Sequence, residues 1–281
     1  MFGRQLDKIS LQKLLFLLTQ KQLKPGYDFI PYRFGCYSYS ANADMTAMAR
    51  RGYLAEDEKH FVKKDTTDYF KQLKPADLRL LQDIKASFGK MSAADLMKYT
   101  YVNYPFYAIK SEAAENLLSK EDLAKVDAAK PGKSNTVLFT IGYEGISLEE
   151  YLIRLLKNDV KVLVDVRNNP LSMKYGFSKS QLNKYCTSLG IQYVHFPELG
   201  IPSEHRQELN AQSDYEKLFE SYRLKYLPKT TQSQLEVLNI LKQYKRIALT
   251  CFEANISQCH RKHLAEAVEK LPGFTYEVKH I

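Results

Sequence analysis

The chain has 281 residues, 44% of them hydrophobic, and a net charge of +9, which suits one large domain or two medium ones with packed cores. No apolar run approaches the roughly 20 residues of a membrane span. The four cysteines, Cys36, Cys186, Cys251 and Cys259, are too few for a disulfide scaffold in a chain of this length.

Met1 leads into "FGRQLDKIS", which lacks the apolar stretch of a secretory signal. A cytoplasmic location with free thiols is therefore expected. Leu11, Leu14, Leu15 and Leu18 recur at i, i+3, i+4 and i+7, one face of a helix, and "LKPGYDF" ends it. In "YRFGCYSYSANADMTAMARRGYL", Ser40 or Asn42 is placed to cap a helix carrying Met45, Met48 and Ala49 on one side. Gly52 stops that helix, and "GYLAEDEKHFVKK" reads as a two-stranded ribbon. Further helices are predicted around 76–89, 92–103 and 111–128. Helix, helix and ribbon is winged-helix-like order, so residues 1–130 read as a mainly helical domain that binds nucleic acid or mediates an interaction.

In that arrangement the second helix enters the major groove. Arg50, Arg51, Lys59, Lys63 and Lys64 would then lie near phosphates, giving affinity without sequence reading. The basic excess is larger here, roughly +6 before residue 134 against roughly +3 after it. Nucleic acid, DNA first, is the expected partner. A solvated basic face on an interaction or dimerisation domain is the alternative. The tyrosines of "YRFGCYSYS" would either stack on bases or fill the core and its turns.

"AAKPGKSN", residues 128–135, is the clearest break, because Pro-Gly stops a helix and small polar residues follow. Residues 136–281 then alternate strand and helix: "TVLFTIGY", "SLEEYLIRLLKND" with Ser147 and Glu150 in capping-box spacing, "VKVLVDVR", "SKSQLNKYCTSLG", "IQYVHFP", a long helical stretch over about 214–243, "RIALTCF", "CHRKHLAEAVEKL" and "FTYEVKHI". Continuous apolar strands suit a sheet buried on both faces. The fold class is α/β, a mostly parallel, Rossmann-like sheet behind a mainly helical first domain.

Ligands of open α/β sheets bind at the carboxyl ends of the strands. Those ends deliver Tyr143 and Glu144, then Asp165 and Arg167, then His195 and Glu198, then Cys251 and Glu253, with Cys259, His260 and Arg261 opening the returning helix. Singly, each reads as a loop charge, a cap or a core histidine; jointly they predict a cleft. Gly142 and Gly145 permit a tight turn there, and the helix start at Ser147 suits an anion. The spacing is neither the dinucleotide fingerprint nor a Walker loop, so neither a nicotinamide cofactor nor ATP is expected.

"TIGYEG", "DVRNNPLS", "VHFPELG" and "LTCFEANISQCHR" resemble, in order, the motifs of the bacterial family catalogued as domain of unknown function 488, over about residues 136–281. The resemblance implies an α/β fold and a pocket built from Tyr143, Glu144, Asp165, Arg167, Pro170, Ser172, His195, Glu198, Cys251, Glu253, Cys259, His260 and Arg261, but no settled reaction. The first domain is similar to winged-helix-like segments attached to such domains.

Three chemistries compete. Structural zinc favours cysteines roughly two to four residues apart. Seven residues separate Cys251 from Cys259, and the deaminase signature is absent, so no metal or other cofactor is expected. Cys259, at a helix start beside His260 and Arg261, suits a nucleophile better than Cys251, which reads as a packed strand end. The strand-loop-helix order is similar to rhodanese and cysteine-phosphatase loops, but no arginine follows Cys251 until Arg261. Carboxylate chemistry is favoured. Glu144 or Asp165 would orient water, Glu253 would serve as second acid or orient His260, Arg167 and Arg261 would hold an anion, and Tyr143 would stack on a base, with Ser172, His195, Glu198 and Cys251 lining the site. The expected function is hydrolysis of a glycosidic or phosphate bond in a nucleotide, base or modified DNA. A DNA-binding regulator that senses a small ligand is the alternative, and a protein adaptor is a third reading.

Overall fold

The structure, a computed structural model, describes residues 4–202 and 212–281. It forms two compact units, Met1–Lys130 and Pro131–Ile281. No helix of the described residues is long and apolar enough to cross a membrane.

The first unit is mainly helical. Strand β1 (Gln5–Asp7) leads into α1 (Lys8–Thr19), which Asp7 caps by accepting from the Ser10 amide. Helix α1 is buried beyond the leucine stripe. Phe16 and Leu17 pack with Phe29, Ile84, Phe88 and Leu96, and Lys13 is also inside, its Nζ donating to the Cys36 carbonyl at 2.8 Å. Burial lowers the Lys13 pKa. "IPYRFGCY" forms a hairpin, β2 (Ile30–Tyr32) and β3 (Gly35–Tyr37). Gly35 turns it at φ +87°, where a Cβ would overlap the Tyr101 ring. Tyr32, Tyr37 and Tyr39 pack on one another, with ring centroids 5.1–5.6 Å apart.

Helix α2 (Tyr39–Arg50) begins earlier than either predicted cap, because Ser38 accepts from the Ala41 amide. The predicted ribbon is β4 (Leu54–Glu56) and β5 (His60–Lys63), and β1 joins it in an antiparallel sheet of order β1-β5-β4. Helices α3 (Pro75–Phe88) and α4 (Ala93–Asn103) follow. The last predicted helix is broken into α5 (Ala114–Leu117) and α6 (Lys120–Ala128), since Ser119 caps a new start.

The second unit holds one five-stranded parallel sheet of order β10-β6-β9-β7-β8. Its strands are β6 (Val137–Gly142), β7 (Val162–Asp165), β8 (Gln192–His195), β9 (Arg246–Cys251) and β10 (Glu277–His280). The helices between them are α7 (Leu148–Lys157), α8 (Lys179–Ser188), α9 (Gln212–Ser221), α10 (Thr231–Tyr244) and α11 (His260–Glu269). The predicted long helix is interrupted between α9 and α10 by a π turn and a 3-10 turn at Pro228.

Two features of this sheet position everything that follows. The chain leaves β6 towards β7 on one side and leaves β9 towards β10 on the other, so connections diverge at the carboxyl ends of adjacent strands β6 and β9. Side chains also alternate between faces. Leu138, Val162, Val164, Ile247 and Leu249 pack on α10 and α11 through Val237, Leu238, Leu241, Leu264 and Val268. Asp165 and Thr250, in register on neighbouring strands, point to the other face, where Thr250 Oγ1 accepts from the Tyr151 hydroxyl of α7.

Candidate functional site

A cleft of about 310 Å³ opens at this divergence. Buried Tyr143, Arg167 and Cys251 line it from the ends of β6, β7 and β9. Asn168, Asn169 and Ser172 add polar groups, and the exposed Leu171, Met173 and Phe252 form its rim. A volume near 300 Å³ is at the small end of small-molecule sites.

The residues expected to share this cleft separate onto the two faces of the sheet. On the α7–α8 face, Asp165 is fully buried and accepts from Arg167 Nε at 2.9 Å, from Arg167 Nη2 at 2.5 Å and from the Tyr193 hydroxyl at 2.5 Å. The Arg167 Nη1 donates to the Tyr143 hydroxyl and the Phe177 carbonyl, both at 2.8 Å. Burial alone would lower the Arg167 pKa, but the Asp165 carboxylate and the Tyr143 oxygen raise it. His195 bridges the Arg167 carbonyl (2.8 Å) and Lys179 Nζ (3.0 Å). This is a closed network. Asp165 holds Arg167 instead of facing solvent, so the expected water-orienting role does not fit it. Arg167 spends most of its donors internally.

Tyr143 stacks on Phe177 at 4.2 Å and meets Phe252 edge-on at 5.3 Å. One ring face is thus filled, and the exposed aromatic at the cleft is Phe252, a residue outside the expected set. Glu144 is exposed and accepts from the Ala254 amide at 3.0 Å, tying the β6 turn to the loop after β9. Glu198 is also exposed and accepts from Ser233 at 2.6 Å; neither acid is among the cleft residues. Ser172 is held by its neighbours, with the Lys174 amide donating to its Oγ.

On the α11 face a second group assembles. Asn255 caps a 3-10 turn over Ile256–Gln258, which folds the chain back so that Cys259 takes the N-cap position of α11 beside the end of β9. One donor atom each from Cys251, Glu253, Cys259 and His260 then lies within 4.8 Å of the others. Cys251 Sγ is 3.0 Å from Glu253 Oε2 and 3.5 Å from His260 Nδ1, and His260 Nε2 is 3.0 Å from the Val166 carbonyl. That carbonyl only accepts, so Nε2 carries the ring proton and Nδ1 faces the thiols. Arg261 donates to the carbonyls of Glu253 and Ala254, holding the loop against Gly142. A Cβ on Gly142 would lie 1.9 Å from the Glu253 carbonyl oxygen.

Burial pushes both thiols up. At Cys251 this is outweighed by the hydrogen bond from Cys259 and by His260, and its pKa falls well below the ordinary thiol value. At Cys259 burial and the bond to Cys251 act together, and its pKa rises. Burial, then Cys251, also raises Glu253. Of the two cysteines, Cys251 is the one that lines the cleft, while Cys259 stands behind it at the start of α11. The 3-10 turn brings the two cysteines, seven residues apart along the chain, into one donor cluster.

In the first unit, Arg50 and Arg51 end α2 and are exposed, as are Lys59 and Lys64 on the ribbon. Lys63 Nζ donates to the Thr67 carbonyl at 2.5 Å. Glu56, Asp57 and Glu58 stand beside Lys59 at the ribbon tip.

Residues 147–268 match the family model described as Domain of unknown function DUF488. Over these residues the second unit resembles that family, and the match begins just after the Gly142–Gly145 turn. No curated protein and no solved structure matches the chain.

Proposed function

We propose that this chain is a cytoplasmic, nucleic-acid-associated hydrolase acting on a nucleotide, a base or modified DNA in the cleft of its DUF488-like unit. The observation that carries this reading is the position of Cys251. It lines a cleft at the topological switch point and lies 3.0 Å from Glu253 and 3.5 Å from His260, so a polar reactive group adjoins a base-sized space. The chemistry moves from Glu144 and Asp165 to the Cys251–Glu253–His260 group. Glu253 lies just behind the cleft lining, 3.0 Å from Cys251 Sγ, and the pKa that burial raises there suits its carboxylate to taking up and returning a proton. In hydrolysis it takes a proton from water as the water oxygen attacks and returns a proton to the leaving oxygen or nitrogen. Phe252 and the Asn168 and Asn169 amides would hold the base by stacking and hydrogen bonding.

The first unit supplies affinity for the phosphate backbone through Arg50, Arg51, Lys59 and Lys64, in winged-helix fashion. The regulator reading is favoured by one specific observation: Asp165, Arg167 and His195 are already satisfied by each other and by backbone, as in a cleft that binds without reacting.

The test is turnover of a panel of nucleotides and modified DNA oligonucleotides by wild type, Glu253→Gln and Cys251→Ser, alongside DNA binding at low salt. Hydrolysis predicts turnover in wild type only, with DNA binding equal in all three. No turnover, together with a nucleotide that changes DNA affinity, establishes the regulator. No DNA or RNA binding even at low salt removes the nucleic-acid role.

A further inference from the structure

Outside the network of Asp165 and Arg167, Cys251, Glu253, Cys259 and His260 form a tight grouping of reactive side chains among the described residues, and its geometry is that of a ligand set. We infer that these four residues bind a borderline-soft divalent cation of the zinc type. The proposal deepens the hydrolytic reading and rests on it for its chemistry, but the binding itself does not.

The donor distances come first. Tetrahedral zinc with sulfur ligands at about 2.3 Å and nitrogen or oxygen at about 2.0–2.2 Å separates neighbouring donors by about 3.3–3.8 Å. The four donor atoms already lie within 4.8 Å of one another, and Cys251 Sγ is 3.0 Å from Glu253 Oε2 and 3.5 Å from His260 Nδ1. Sub-ångström shifts of side chains complete the shell.

The histidine is set for ligation. A metal-bound imidazole characteristically donates its other ring N–H to a carbonyl or carboxylate. His260 does so to the Val166 carbonyl at 3.0 Å, which leaves the Nδ1 lone pair facing Cys251. The ring is further fixed edge-on against Tyr222, with centroids 5.6 Å apart.

Charge is the third argument. Two thiolates and a carboxylate gathered where Cys251, Cys259 and His260 are at most 1% exposed would repel strongly if ionised alone. A divalent cation with the neighbouring Arg261 guanidinium, itself only 2% exposed, balances them. Cys259 also occupies the N-cap position of the ten-residue α11, whose N-terminal dipole favours a thiolate.

The donor chemistry selects the ion. Two sulfurs, one imidazole and one carboxylate suit zinc and disfavour magnesium or calcium, which take oxygen. Glu253 is the least buried of the four. It is therefore the ligand that water or a substrate atom would exchange with, leaving three protein ligands and an open position, as in catalytic zinc sites. Cys251 joins the cluster to the 310 Å³ cleft, and Glu253 and His260 also line a smaller cavity of about 50 Å³ with Tyr215 and Phe219.

The test is the metal content of the full-length, tag-free protein after anaerobic incubation with zinc and gel filtration, measured by elemental analysis. About one zinc per chain is expected for wild type and for Cys186→Ala, whose cysteine lies on α8, with at least a tenfold loss in Cys259→Ser and His260→Ala. Because those variants risk misfolding, wild type is also loaded with cobalt(II), which should give sulfur-to-cobalt charge-transfer absorption that zinc abolishes. Zinc-free wild type, or zinc retained undiminished in Cys259→Ser, overturns the proposal, as does cobalt bound without a thiolate band. Bound zinc without turnover of any substrate leaves the metal site standing and removes only the hydrolytic reading; turnover by protein that takes up no zinc on incubation does the reverse.

Discussion

Asp165→Asn separates the two faces of the sheet experimentally. The carboxylate is fully buried and accepts three side-chain hydrogen bonds from Arg167, one from the Arg167 amide and one from Tyr193. The amide keeps the shape but loses the charge, and its NH2 meets a donor on at least one side. Arg167 remains 4% exposed with no counter-ion. Breaking a buried pair from one side costs roughly 3–5 kcal/mol, and a unit of this size loses roughly 2–4 °C per kcal/mol. A fall in Tm of roughly 6–20 °C is therefore expected by circular dichroism at pH 7. At a temperature where the variant is still folded, zinc binding and any turnover should persist, because the donor cluster lies on the other face. A Tm change worth less than about 1 kcal/mol, or loss of turnover with stability intact, would refute the assignment of Asp165 as a positioning residue.

Other outcomes follow from the same geometry. Gly142→Ala places a methyl group 1.9 Å from the Glu253 carbonyl oxygen; the loop must retreat, at a cost of roughly 1–3 kcal/mol, and zinc affinity should fall while Gly132→Ala, with open space around it, changes nothing. Phe252→Ala, at the exposed rim, should weaken nucleotide binding by roughly 1–3 kcal/mol in calorimetry with Tm unchanged. Arg50→Ala and Arg51→Ala should each reduce the slope of log affinity against log salt by roughly 1, equally for all DNA sequences. Burial, the first cause at each, lowers the pKa of His263 and of His280. A base with a lowered folded pKa binds fewer protons in the native state. Its contribution to stability is thus full above pH 6.5, the ordinary value, and is lost as pH falls through the folded values. The urea midpoint should drop between pH 7.5 and 5.5, and drop less in a His263→Gln/His280→Gln variant; an identical drop would contradict this.

Strand-helix alternation after residue 136 was enough to read the α/β class, because fully buried strands such as Val137–Gly142 and Arg246–Cys251 are continuous apolar runs. The helices went astray where side chains compete with the ladder, as at Ser119 and Pro228. The site was legible as a list of strand ends but not as a geometry. Asp165 and Cys251 both end strands, yet they belong to opposite faces, and only the register that pairs Asp165 with Thr250 reveals it. The period of two carried that signal in part, since Val162 and Val164 alternate with Leu163 and Asp165, but which face meets α11 depends on the crossovers. Similarly, the distance from Cys251 to Cys259 along the chain concealed a turn, for which Asn255 ahead of Ser257 was the local cue. Phe252 escaped notice because a lone aromatic after a strand is more often core than rim.

The most direct measurement is an anomalous difference map at the zinc absorption edge, from crystals of the full-length protein grown with zinc. A single strong peak bonded to Cys251 Sγ, Cys259 Sγ and His260 Nδ1, with Glu253 or a water completing the shell, is the predicted result. A map with no peak among these residues, or with Cys251 and Cys259 joined as a disulfide after reducing preparation, would contradict the account.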